Sequence, residues 1–353
     1  MKAIVAGVGM TPFGNHLDKS LQELGLLAIN DALEDAGIEF SSIEAVWAGT
    51  AGAPLTTGQV CVSGQVILQD INKHNIPVIN VENACATSST AFQQAAQMVE
   101  AGLYDIVLAF GVEKLYHPDR ERIQKVFFGS TDVNNLQRLS ETLGKEAKEG
   151  QRHSIFMDIY AYAAKRYMDK SGATERHFAK IAAKNSSHGS LNAHDQLRGV
   201  LAEEEGHQAR MISDPLTLPM CSPIGDGAAA AVIVSPEMAT KIGVKKQVYV
   251  RSNVLKSGSI DEDEKDLTAI AVKEAYEKAS IGPEDLDIIE LHDATSPAEM
   301  IYYESLGLCG ENEGPEFVEK GATSLEGSIP VNVSGGLVRK GLIGGIWGRR
   351  GAF

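Results

Sequence analysis

Four cysteines, at 61, 85, 221 and 309, and nine histidines are the side chains of this chain best suited to covalent or proton-transfer chemistry. Their surroundings separate them. Cys85 lies in NVENACATSSTAFQQAAQMV, where an apolar stretch from Pro77 to Val81 runs into a tight turn. Small residues then open a helix with apolar positions at Ala91, Ala95, Met98 and Val99. A thiol there faces the unpaired N–H groups of a helix start, which favour the thiolate. Ala84, Ala86, Ser88 and Ser89 leave room for a thioester to approach. The alternative is that Cys85 is a small buried hydrophobe, the commoner fate of a free cysteine.

His292, in ELHDATSPAE, stands at the end of an expected strand, where ligands of α/β sheets are usually met. It alone among the histidines falls after residue 240. The competing reading is a surface histidine before a helix capped by Asp293 or Thr295. In LPMCSPIGDGAAAAVIV, a Gly-rich turn precedes an Ala/Val strand and lets a ligand or another backbone come close. Cys221 in that turn reads as structural, and Cys61 and Cys309 offer only packing. NVSGGLVRKG at 332–341 has paired glycines after a strand. It suits a phosphate cradle, although neither the P-loop nor the GxGxxG spacing is met.

The elements that position these residues repeat. Residues 26–49, LLAINDALEDAGIEFSSIEAVWAG, read as an amphipathic helix, a Gly turn and a strand. Residues 268–292, TAIAVKEAYEKASIGPEDLDIIELH, read the same way and set Ile43, Val46 and Gly49 opposite Leu286, Ile289 and His292. IPVINVENACATSS at 76–89 is echoed by IPVNVSGGLVRKG at 329–341, so the Cys85 turn and the paired-glycine turn hold equivalent places. Across a pseudo-twofold axis both would face one cleft. Two halves follow, 1–240 and 241–353. The runs AIVAG, IEAVWAG, DIVLAFGVE and AAAAVIVS are apolar without alternation, as in sheets covered on both faces. Residues 114–218 are polar and hold most of the histidines, with helices expected at 155–170 and 175–188. They read as a long insertion capping a site on the first half. The last twelve residues, LIGGIWGRRGAF, carry no strand pattern, so the second repeat reads as shortened.

Composition narrows the function. The net charge of −15 disfavours a nucleic-acid partner, which needs a basic face, but leaves room for a phosphorylated small ligand. No apolar run reaches the roughly 18 residues of a membrane span. The first residues, MKAIVAGVGMTPFG, read as a buried strand rather than a signal peptide. Without CxxC pairing, the cysteines suggest neither a zinc site nor a disulfide framework. A cytoplasmic protein with reduced thiols and no resident metal is expected.

ENACATSSTAF resembles the nucleophile segment of thiolases. HFAKIAAKNSSHGSLNAHDQ, MCSPIGDGAAAAVIV, ELHDAT and NVSGGLVRKG resemble the sterol-carrier-protein-2 type of thiolase and its bacterial and archaeal relatives, collinear from residue 1 to about 341. The resemblance implies a five-layer α/β/α/β/α fold, a homodimer, and acyl-CoA chemistry through an acyl-cysteine at Cys85. It puts His292 at an oxyanion hole and the backbone N–H of Cys85 at another. It sets Ser222, Gly225, Gly335 and Gly336 against coenzyme A, a substrate or product rather than a permanent cofactor. The chain departs from the family at three places. Ala294-Thr295 replace the Cys and aromatic that usually follow His292. Gly341 is followed by Leu342 and Ile343 instead of the His-Pro whose His activates the nucleophile. The segment with the second catalytic Cys has no counterpart. Acyl-CoA C-acyltransfer is the leading expectation. A CoA-ester retro-aldolase and a non-catalytic CoA-binding subunit are the alternatives, and some relatives work beside a small OB-fold, zinc-ribbon partner.

Overall fold

A computed structural model of the chain describes residues 2–71, 75–144, 154–258 and 266–341. In chain order the elements begin β1 (Ile4–Met10), α1 (Leu21–Ala36), β2 (Ala45–Gly49), α2 (Ala53–Thr57), α3 (Ser63–Leu68), β3 (Val78–Val81), α4 (Thr87–Glu100) and β4 (Ile106–Lys114). Then come α5 (Arg120–Gly129), α6 (Leu136–Leu143), α7 (Ile155–Ser171), α8 (Glu175–Ser190), α9 (Glu203–Gln208), β5 (Met211–Ser213) and β6 (Leu216–Thr217). The described residues end with β7 (Asp226–Val234), α10 (Pro236–Lys241), β8 (Val248–Tyr249), α11 (Leu267–Ala279), α12 (Ser296–Ser305), α13 (Gly314–Glu319) and α14 (Leu337–Lys340).

These elements gather into two compact units. One takes in Met1–His117 and Gly225–Leu255, the other Pro118–Ile224 and Lys256–Leu342. Packing thus cuts across the 1–240 and 241–353 division. The segment expected to cap the first half groups instead with the C-terminal residues, because α7 and α8 share a core with α12 and α13.

The first unit is built on a mixed sheet in the order β3-β2-β4-β7-β1-β8. β2 runs parallel to β3 and β4, and β7 lies antiparallel between β4 and β1. Helix α1 starts at a capping box of Ser20 and Glu23 and stops at Gly37, whose φ of 69° is the left-handed stop a glycine accepts readily. It lays Leu24, Ala28, Ile29 and Ala32 on one face of the sheet. A methyl group on Gly7 or Gly9 would overlap the carbonyls of Ala32 and Ala28, so the glycines of β1 let helix and strand touch. On the other face, α4 packs Ala91, Ala95, Ala96 and Val99 against Trp47, Val107, Ala109 and Ile233.

The second unit is mainly helical. Phe178, Ile181 and Ala182 of α8 meet Met300 and Tyr303 of α12, with Ile289 and Val331 beneath. The strands expected to end at His292 and to precede the paired glycines reduce, among the described residues, to one parallel bridge between Ile289 and Val331. Residues 342–353, on which the shortened repeat was read, lie outside the described residues.

Candidate active site

β3 delivers the chain to Cys85, and a single 3-10 turn, Ala84–Ala86, links it to α4. Ala84 takes a positive φ of 44°. The turn is pinned by the Thr87 hydroxyl, which donates to Ala84 O at 2.7 Å and accepts from Asn83 N at 2.8 Å. Asn83 Nδ2 also donates to the Thr90 hydroxyl at 2.9 Å. Cys85 itself is half-buried.

The electrostatics of the turn differ from the sequence reading. Burial pushes the Cys85 thiol up, and the charge of Glu113 adds to it. The resting state is therefore a thiol, because loss of water outweighs whatever the helix start contributes. Glu113 ends the apolar run of β4 and is itself buried. Burial raises its carboxyl, against N–H donors from Gly52, Ala51 and Ala53 at 3.0, 3.0 and 2.6 Å. Gly225, also in this unit, immediately precedes β7.

Ser222, His292, Gly335 and Gly336 all belong to the second unit. Ser222 N–H donates to Ala294 O at 3.0 Å, and Cys221 bridges to Thr295. The Ser222 hydroxyl is buried without a partner among the described residues. His292 is half-buried, its Nε2 likewise without a partner. Burial holds its pKa below the ordinary histidine value, so near neutral pH the ring is uncharged. The helix that follows has Thr295 as its N-cap residue, but the Thr295 side chain makes no capping bond. Asp293 accepts instead from Leu337 N, at the start of α14, at 2.6 Å.

The paired glycines are packed rather than open. Gly335 and Gly336 have φ of 99° and 66°, which other residues rarely adopt. A methyl group would overlap the carboxylates of Asp195 at Gly335 and Asp293 at Gly336. Only their backbones are free to meet a ligand. Cys221 is buried, its thiol pushed up to about 12, and its Sγ contacts Thr217 O at 3.4 Å. Cys309 is also pushed up to about 12 by burial. Cys61 is exposed rather than packed.

Sequence reasoning missed the polar network beneath His292. Asp293, Glu299, Asn185 and Asn332 are all fully buried. Asn185 Nδ2 donates to Asp293 Oδ2 at 3.0 Å and to Glu299 Oε2 at 2.6 Å. Lys184 pairs with Glu299, and Tyr303 donates to it. Burial, then the neighbouring Glu299 charge, raise Asp293 far above the usual carboxylate range. Spacing carried a signal: Phe178, Ile181, Ala182 and Asn185 follow one helical face, so Asn185 falls on the buried stripe.

The family model for the thiolase N-terminal domain matches residues 3–237, and the thiolase C-terminal domain-like model matches 259–346. The chain belongs to the thiolase family. It is similar to the benzoylsuccinyl-CoA thiolase subunit BbsB of Thauera aromatica, with 34% identity over 96% of this chain and 84% of that one. It is 31% identical to human sterol carrier protein 2, over 96% of this chain but 62% of that protein's length. Among solved structures, the Ltp2-ChsH2(DUF35) aldolase superposes with a TM-score of 0.74 at 22% identity, over 96% of this chain and 85% of that one. The thiolase-like α/β fold thus stands for this thiolase-family chain. No described helix is long and apolar enough to cross a membrane.

Proposed function

We propose that this chain is an acyl-CoA C-acyltransferase of the thiolase type, cleaving or forming a 3-oxoacyl-CoA through an acyl group on Cys85. In the cleaving direction the Cys85 thiolate attacks the 3-oxo carbon and the bond between C2 and C3 breaks. The departing acyl-CoA enolate takes up a proton. The shortened acyl group stays on sulfur until the thiol of coenzyme A displaces it. His292, uncharged, donates a ring N–H to the developing oxyanion, and the backbone N–H of Cys85 serves a second one. Ser222 and Gly225 are proposed contacts to coenzyme A, as are the backbones of Gly335 and Gly336.

One observation carries this reading. Cys85 sits half-buried at a strand-to-helix turn among small side chains, inside the segment matched as the thiolase N-terminal domain. Incubating the protein with a 3-oxoacyl-CoA, trapping in acid and measuring peptide masses tests it. Acyl-Cys85 in the wild type and its loss in folded Cys85→Ser are expected. Equal activity in the serine variant would overturn the assignment.

The upward push on the Cys85 thiol favours a second reading, a CoA-ester retro-aldolase in which the thiol is not acylated. Release of an aldehyde or ketone without acyl-Cys85 would mark it. We place the protein in the cytoplasm as a homodimer joined along the β3 edge near Ile79–Val81 and the exposed Cys61 segment. β3 is an edge of its sheet, and unpaired edges favour association. A small OB-fold, zinc-ribbon subunit is the further partner we propose; the subunit designation of the Thauera relative supports a partner subunit without specifying its fold.

A further inference from the structure

We propose that Asn332 is a positioning residue for His292, clamping the His292 turn to the buried Glu299 carboxylate. The inference rests on the reading of His292 as a donor to the reacting carbonyl.

The Asn332 side chain uses both ends. Oδ1 accepts from Leu291 N–H, the residue before His292, at 3.0 Å. Nδ2 donates to Glu299 Oε2 at 2.8 Å. On the other flank of His292, Asp293 is held by Asn185, whose amide also reaches Glu299 Oε2. One carboxylate therefore anchors both neighbours of His292 through two asparagine amides. That anchor is electrically settled. Glu299 has four donors, Lys184, Tyr303, Asn185 and Asn332, and Lys184 supplies the counter-charge. Tyr303 is fixed in turn by the Thr323 hydroxyl at 3.2 Å, and the Asn332 carbonyl lies 3.0 Å from His188 Nδ1.

His292 needs such a clamp because its Nε2 has no partner of its own among the described residues. Nothing at that nitrogen sets the ring's direction, so the backbone and packing must. A donor aimed at a developing oxyanion works only within a narrow range of geometry. The backbone of Asn332 has a φ of 52°, so glycine suits the position while deleting both side-chain bonds.

The test is Asn332→Gly in the full-length protein. With an acyl-CoA substrate, kcat should fall by about tenfold or more, the order expected when a reacting group loses alignment. KM should hold. The ring Cε1–H resonance of His292 in the wild type should titrate below the ordinary histidine value. In the variant it should move up towards about 6.5 as the ring gains contact with water. An unchanged kcat, or a rise in KM alone, would overturn the proposal, as would an unmoved His292 titration. A protein that forms no acyl-Cys85 at all defeats the proposed function, and the His292 resonance then decides this inference by itself. Should Asn332→Gly not fold, Asn185→Ser loosens the opposite flank and carries the same expectations.

Discussion

Replacing Glu113 with glutamine should loosen the loop before α2 and make Cys85 easier to ionise. Glu113 is 1% exposed, and both carboxylate oxygens are in use. Oε2 accepts from the backbone of Ala51 and Gly52 at 3.0 Å each. Oε1 accepts from Ala53 at 2.6 Å, from Lys114 at 3.3 Å and from the Thr50 hydroxyl at 3.4 Å. Glutamine keeps the shape but can accept at only one of the two positions. Its amide nitrogen must face donors on the other side and leave two backbone N–H groups unpaired, one buried and one part-buried. At about 1–3 kcal/mol for each such group, the first unit should lose about 2–6 kcal/mol. The thiol effect has a definite sign. A negative charge beside a thiol raises its pKa, so removing the charge lowers it and moves Cys85 alkylation to lower pH. Urea unfolding reads the first effect. Iodoacetamide labelling across pH, followed on the Cys85 peptide by mass spectrometry, reads the second without interference from exposed Cys61. If both the urea midpoint and the labelling profile match the wild type, Glu113 is protonated in the native protein and the argument fails.

Asp195 is pushed up to about 7 by burial, so its native pKa lies above the unfolded value of about 3.8. Its cost is absent below about pH 4 and grows to about 4 kcal/mol as pH rises to 7, because the unfolded chain ionises first. Asp195→Asn should abolish that decline, and urea midpoints measured from pH 4 to 8 check it. Gly336→Ala forces a side chain into a region of φ 66° and ψ −175° and against the Asp293 carboxylate. Strain plus the weakened Leu337–Asp293 bond should cost about 3–5 kcal/mol in the second unit, and an unchanged urea midpoint would refute the packing described. His292→Ala should slow turnover by about 10²–10³ while coenzyme A binding stays near wild type. Weak binding at unchanged turnover would make His292 a binding residue instead.

Local rules sufficed for much of the fold. The helices expected at 155–170 and 175–188 form as Ile155–Ser171 and Glu175–Ser190, because the Ser154 hydroxyl caps the first, His177 accepts from Thr174 N–H at the start of the second, and their apolar faces recur at helical spacing. The Cys85 turn was legible for the same reason: an apolar strand, a break and a run of small residues opening a helix leave few alternatives. Tertiary structure decided the rest. Residues 118–224 pack with 256–342 through the α8–α12 core, which no adjacent stretch of sequence specifies. The thiol of Cys85 is raised rather than lowered, since burial and Glu113 of β4 act on it from distant parts of the chain. The paired glycines look like a ligand cradle in isolation, but Asp195 and Asp293 fill their side-chain directions. Sequence spacing marks which residues share a face. It does not say which distant carboxylate will be desolvated beside them, and desolvation is the largest cause of the shifts at Cys85, Glu113, His292 and Asp293.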